Sequence, residues 1–403
     1  MTNPILKNLD VGFNKRLLGC VLRVVVCIFI LAVVFTLDIF NARAYEDIDI
    51  DKIYESQYEM SSADKLEKEL PKESKKSLER MGVDSKNIKG VLDLTPGKIF
   101  NEFMLILREQ SPIPIRSISI AVAIMILCAL VESMKLSIDQ KPLSGIIGVI
   151  STFCICTSIT FPIVDTINNA ATVIKYSANF MLVYIPVMVG IMVASGQALS
   201  AASYHMMMVG VGEAISQIAS KFLVPLLNVF LAISVVSSLS IRMNLSGICK
   251  NIHTIVKWIL SFIMTTFVSL LTIQTVVANS ADNTSTRTIK FAINNFVPIV
   301  GGALSDAFAT VQGCIKLLKS GVGAFGVLAA GIIFIPIILE CIVWLLAINI
   351  SASIGDIFEL KQISGLLRAT SKVISTILAI VFCCMTILTI STVLVLIIGG
   401  GVF

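Results

Sequence analysis

Charge is what this sequence has least of. Only 14% of its 403 residues are Asp, Glu, Lys or Arg, against 56% hydrophobic, whereas a soluble domain carries closer to a quarter charged. The deficit excludes an ordinary water-soluble globule and marks a membrane protein. Net charge is +5, and three of those units fall in residues 1–44, so no basic stripe remains to hold nucleic acid. None of the ten cysteines lies between Tyr45 and Gln110, which excludes a disulfide framework there. Cys154-x-Cys156 and Cys383-Cys384 are too closely spaced for a zinc site and read as small packing residues. A Walker A loop, H-E-x-x-H and G-x-S-x-G are all missing, so hydrolysis and ATP use have no machinery. No catalytic residue, cofactor or metal site is expected. Gly321 to Gly326 spells G-x-G-x-x-G, but no strand precedes it and it opens an apolar run. Close helix packing or a bend is the better reading.

What is present is arranged in order. Lys7, Lys15, Arg16 and Arg23 precede an uncharged run from Val24 to Leu37, followed by Ala42-Arg43-Ala44. This is the layout of a signal peptide, residues 1–44, cleaved after Ala44; the other reading is an uncleaved anchor. Either way the next segment begins outside the cytoplasm. Residues 45–110 hold 26 charges, whereas 111–403 hold only 24, so a charged extracytoplasmic segment precedes a polytopic domain. In the charged segment Leu66, Leu70, Leu78 and Met81 are too few to close a sizeable core, which predicts a small helical module or a partner-dependent segment. Thr95-Pro96 predicts an N-cap and a first-turn proline opening a helix over 96–109. Its Ile99, Phe103, Ile106 and Leu107 form a stripe suited to the membrane surface or to packing under the module.

Charge-poor runs long enough to cross a bilayer are Ser117–Met134, Leu143–Val164, Ser177–Leu199, Phe222–Ile241, Trp258–Ala278, Gly321–Ile350 and Val373–Ile398. Ser203–Ser220 is marginal because it holds Glu213, Gly210 and Gly212. The positive-inside rule places Lys135–Lys141, Arg242–Lys257 and Asp356–Lys372 in the cytoplasm. Both of the first two fit only if the marginal segment crosses, which gives eight spans and an outside C-terminus. The fold class is therefore all-α and polytopic, since each spanning helix satisfies its own backbone. Pro336 and Glu340 leave open whether 321–350 is one span or a hairpin.

Charged residues inside apolar runs are costly and tend to face protein or water. Glu213 and Glu340 are the candidates, with a water-filled path or a subunit contact as the functional reading and an interhelical hydrogen bond or a place nearer the interface as the structural one. Between Lys290 and Cys314, Pro298, Gly301 and Gly302 interrupt a short apolar run ahead of Asp306, which predicts a re-entrant or interfacial element buried in protein.

That stretch, with Phe296-Val-Pro-Ile-Val-Gly-Gly-Ala-Leu-Ser-Asp-Ala307 at its centre, resembles the stage III sporulation protein AE family of endospore-forming bacteria. Pro186 to Leu199, the end of the Phe222 to Ser240 span and Gly321 to Gly331 are similar too. The resemblance implies a multi-pass protein of the mother-cell membrane around the forespore. It implies partnership with stage III sporulation proteins AA to AH and stage II sporulation protein Q in a secretion-like channel, as a permease-like or export-platform-like subunit with a possible homo-oligomeric state. A stand-alone secondary transporter and a scaffold without its own conduit are the alternatives.

Overall fold

The computed structural model describes residues 50–86, 94–135, 142–239, 246–296 and 301–397. Side chains of residues 274–310, among a few others within helices, also lie outside the description. Ala44 and the expected signal peptide, and Pro298, fall outside it. The chain separates into two units, Met1–Lys52 and Ile53–Phe403, and the account below concerns the second. Among the described residues every element is helical.

Three short helices, α1 (Ile50–Ser61), α2 (Lys65–Lys68) and α3 (Lys72–Met81), build the polar module. Leu66, Leu70, Leu78 and Met81 are all buried, together with Tyr58, Ala63 and Val83. Gly82 closes α3 at φ 75°, donating its N–H to the Glu79 carbonyl, a left-handed conformation that glycine adopts without strain. A polar pin completes this small core. Glu67 Oε1 accepts from the Ser85 N–H at 2.8 Å and from the Ser85 hydroxyl at 2.7 Å, and Tyr58 Oη lies 2.5 Å from the same hydroxyl. Burial pushes the Tyr58 phenol up to about 12. Burial and a hydrogen bond with Asp84 also raise Glu67, while that same hydrogen bond lowers Asp84.

α4 (Pro96–Gln110) begins with Thr95 in an extended N-cap conformation and Pro96 at its first position. The sequence signals this start, although the threonine hydroxyl makes no capping bond. After Ser111 come α5 (Pro112–Lys135), α6 (Pro142–Ala194) and α7 (Ala198–Gln217). A π-helical turn, Ile218–Leu223, leads into α8 (Val224–Leu239), followed by α9 (Ser246–Phe296), α10 (Gly301–Ile357) and α11 (Lys361–Ile397). Among the described residues, five helices are long and apolar enough to cross a membrane, and Val224–Ser237 is a shorter apolar stretch.

The separate spans expected over 143–164 and 177–199 are one helix, α6. At 1.5 Å per residue its 53 residues reach about 80 Å, well beyond a hydrocarbon core of about 30 Å. The marginal segment 203–220 and the span after it are likewise joined, through the π turn rather than a loop. Polar residues lowered the hydropathy between each pair, but lowered hydropathy does not end a helix, and neither gap holds a residue that forces a break. The eight expected spans are therefore not eight separate helices among the described residues. α10 runs unbroken through Pro336 to Ile357, which excludes the hairpin. Gly301 and Gly302 open α10 and Asp306 follows within it, while α9 reaches Phe296. The described flanks of the expected re-entrant element thus continue long helices.

Contacts fix the directions. Thr166 meets Glu340, Tyr184 packs on Gly326 and Gln312 reaches the Ala194 carbonyl, so α6 and α10 are antiparallel. Gly323 lies against Leu396 and Gly355 against Ser364, so α10 and α11 are antiparallel as well. Gly355 also adjoins Met125 of α5, Ser234 of α8 adjoins Cys249 of α9, and His253 Nδ1 is 2.7 Å from Thr376 Oγ1. The helix ends flanking the three basic segments therefore gather at one end of the bundle. The glycine-rich run is a packing device: a Cβ on Gly326 would stand 2.3 Å from the Tyr184 ring, and one on Gly323 2.4 Å from Leu396.

Candidate functional site

The polar residues that resemble a loop between spans form one face of α6. Asp165, Asn168, Asn169, Thr172 and Lys175 are exposed, and Asn179 is half-buried. At 100° per residue these positions fall within an arc of roughly 120° and extend along about 20 Å of helix. Tyr176 shares the arc and is exposed too. The opposite face is apolar and buried. Ile167, Ala170, Ala171 and Ile174 line a crevice with Ile377, Ile380 and Val381, and Ala178 and Met181 another with Cys384, Ile387 and Leu388. The stripe therefore lies level with residues 377–388, inside the long uncharged run of α11.

Glu340 joins this stripe from α10. Thr166 Oγ1 lies 2.5 Å from Glu340 Oε1 and 3.0 Å from the Pro162 carbonyl of its own helix. Asn169 also directs its side chain at the carboxylate, with Trp344 and Asp165 nearby. Two helices thus contribute a carboxylate pair, a hydroxyl and an amide at one place. Such a constellation orders water or a cation-bearing partner, and a charge left in hydrocarbon here would cost about 2.5–3.5 kcal/mol.

Glu213 is not part of it. Its carboxylate is exposed on α7 and accepts from Gln217 Nε2 at 2.6 Å, one turn along the same helix. Side chains at Gly301, Gly302 and Asp306 lie outside the described residues, as does Pro298. A residue that sequence reasoning missed is Lys319, buried on α10 and 3.2 Å from Gln197 Oε1 at the α6–α7 turn. At the edge of an apolar run it looks like any interfacial lysine, and no sequence signal separates the two. Seven of the eight described cysteines are buried, with Cys154 exposed, in keeping with packing roles.

The family model for stage III sporulation protein AE matches residues 81–400. The chain belongs to that family. It is similar to the stage III sporulation protein AE of Bacillus subtilis (strain 168), at 29% identity over 161 residues. That alignment covers 40% of this chain and 40% of the relative. No solved structure matches. The family carries the name of a sporulation stage rather than of a reaction, and it covers α4 to α11 with the stripe, Glu340 and the glycine contacts.

Proposed function

We propose that this chain is a non-enzymatic membrane subunit of a secretion-like channel linking mother cell and forespore, with the α6 stripe facing its aqueous path. The observation that supports this most is the contrast between helix faces at one height. His253 of α9 meets Thr376 of α11, and α9 then runs beside the same part of α11 that α6 covers. There α9 exposes Ile255, Trp258, Phe262 and Val268 and, beyond Lys257, no charge but only hydroxyls such as Thr265 and Ser269 that bond to their own helix, a surface for lipid. α6 exposes amides, a carboxylate and an ammonium. A bundle wholly ringed by lipid at that height would not show both, because polar side chains at membrane depth turn to protein or water.

In this reading the subunit is permease-like or export-platform-like and resides in the mother-cell membrane around the forespore, its polar module (within residues 45–110) outside the mother-cell cytoplasm and its polytopic part over 111–403. Its partners are the other stage III sporulation proteins AA to AH and stage II sporulation protein Q, with further copies of itself possible. A self-sufficient transporter would place broken helices at its site, yet α6 passes Pro186 and α10 passes Pro336 without a break.

The test is a mild-detergent pull-down from cells sampled during engulfment, paired with thiol accessibility of Asn168→Cys and Thr172→Cys. Recovery of the other stage III proteins and reaction with a membrane-impermeant reagent support the channel reading. A partnerless oligomer with both positions protected sinks it.

A further inference from the structure

We infer that α4 lies in the outer face of the bilayer, and that it holds the polar module on the membrane by presenting one side to lipid and the opposite side to Arg80. The inference is independent of the channel reading. α4 has three distinct sides. Ile106 and Glu102 are buried against the protein. Asn101, Arg108 and Lys98 make an exposed side that is mostly polar, with Leu105 among them. Phe100, Phe103 and Met104 make an exposed apolar side, with Phe100 59% exposed; these three and the half-buried Leu107 fall within an arc of about 100°.

Two observations identify lipid as what covers that side. The first is continuity. Only Ser111 separates α4 from α5, whose Pro112–Val131 stretch is long and apolar enough to cross a membrane, and whose first turn already exposes Ile113 and Ile115. Exposed apolar side chains thus lie on both helices close to this short link, and Arg108 and Arg116 are exposed beside it. The second is the position of the module. Arg80 of α3 places Nη2 2.6 Å from Glu102 Oε1 and Nη1 3.7 Å from Glu109 Oε1. Glu102 and Glu109 are seven residues apart and point about 150° and about 170° away from the centre of the apolar side. The guanidinium therefore grips α4 from above while the phenylalanines face below. Interfacial helices have this division, an apolar side sunk to the acyl boundary and charges level with the headgroups.

The stripe expected from sequence, Ile99, Phe103, Ile106 and Leu107, is split by this arrangement. Ile106 serves the protein, whereas Phe103 and Leu107 join Phe100 and Met104, which sequence periodicity alone does not select.

The experiment uses the full chain in cells, with a photoreactive benzoylphenylalanine replacing Met104, Phe100 or, as control, Asn101, all exposed positions. After irradiation, lipid adducts are measured by mass spectrometry of the purified protein. Residues at an acyl boundary predict about five-fold or more lipid adduct at Met104 and Phe100 than at Asn101. Protein adducts at Met104 and Phe100 would show that another chain covers this side and overturn the inference. Equal, low lipid yield at all three positions would overturn it as well, because α4 would then stand in water. An Arg80→Ala chain carrying the same label at Met104 tests the grip: lipid adducts persist, while proteolysis within residues 72–86 rises.

Discussion

At one height of the bundle, α9 and α6 offer opposite surfaces. Trp258 and Phe262 stand 77% and 66% exposed on α9, while Asp165, Asn169 and Lys175 are exposed on α6. Both helices pack their other sides on α11, so the core beneath them does not account for the difference. It follows that exposure in this protein has two meanings. In the proposed reading it marks contact with hydrocarbon on α9 and, on α6, a side turned away from hydrocarbon. Composition summed along either helix hides this, because the apolar packing residues of α6 outnumber its stripe.

The largest expected effect breaks the scaffold that sets the two faces. Gly326→Leu drives a branched side chain into the Tyr184 ring, and overpacking of this kind costs about 3 kcal/mol or more. The α6–α10 pair should separate, read as loss of the monodisperse peak in detergent chromatography; an unchanged peak would mean that Tyr184 can swing clear.

Exchanging the character of the faces is the more direct test. Phe262→Asp places a carboxylate where lipid is expected and should cost about 2.5–3.5 kcal/mol, seen as reduced membrane insertion. Asp165→Leu should leave insertion intact and impair sporulation. If both substitutions reduce insertion equally, the two faces share one environment and the contrast fails.

A smaller effect is expected inside the stripe. Thr166→Ala removes the hydroxyl from Glu340 and should cost about 1 kcal/mol of thermal stability. Glu340→Gln keeps an acceptor for Thr166 and should cost less, so a loss of sporulation with retained stability would separate a role in the path from a role in packing.

The smallest effect concerns a carboxylate outside the membrane. Because Glu67 is raised above its ordinary 4.5, its contribution is present at acid pH and declines as the pH rises through the raised value. Asp84 is lowered below its ordinary 3.8, so its contribution is lost only as the pH falls below that. The module should be most protected from hydrogen exchange in mildly acid solution, and less so near neutrality. Glu67→Gln should flatten the decline on the neutral side.

Fold class and the small core of the module were legible in the sequence, because apolar spacing and the four residues Leu66, Leu70, Leu78 and Met81 carry that information locally. Thr95-Pro96 and the close packing at Gly326 were legible for the same reason. The stripe was not, since a hydropathy average registers Asp165 to Tyr176 only as a dip and turns it into a loop. Its signal was periodicity: Asp165, Asn168, Thr172 and Lys175 recur at helical spacing, and a loop has no reason to keep that period. Glu340 was legible as a costly residue, but its pairing with Thr166 spans 174 positions and no local pattern announces it. Glu213 carries the same sequence signal, yet its local bond to Gln217 shows how little a lone acidic residue specifies.

Pro162 and Pro336 sit one turn before Thr166 and Glu340 on antiparallel helices. Each lacks the N–H that would close its helical turn, leaving the carbonyls of Ser158 and Ile332 without their usual partner. The two weakened turns flank the Thr166–Glu340 contact within about 12 Å of bundle length. The π turn Ile218–Leu223 ends at Val224, which shares a crevice with Ile167 and Ile377, so a third rod is weakened at nearly the same height. Bending stiffness is thus lowered in this zone, as it is at Pro186 further along α6, and here a polar contact ties two of the three rods together. Any flexing of the bundle would concentrate there, moving the rods as a joint does rather than bowing them along their length.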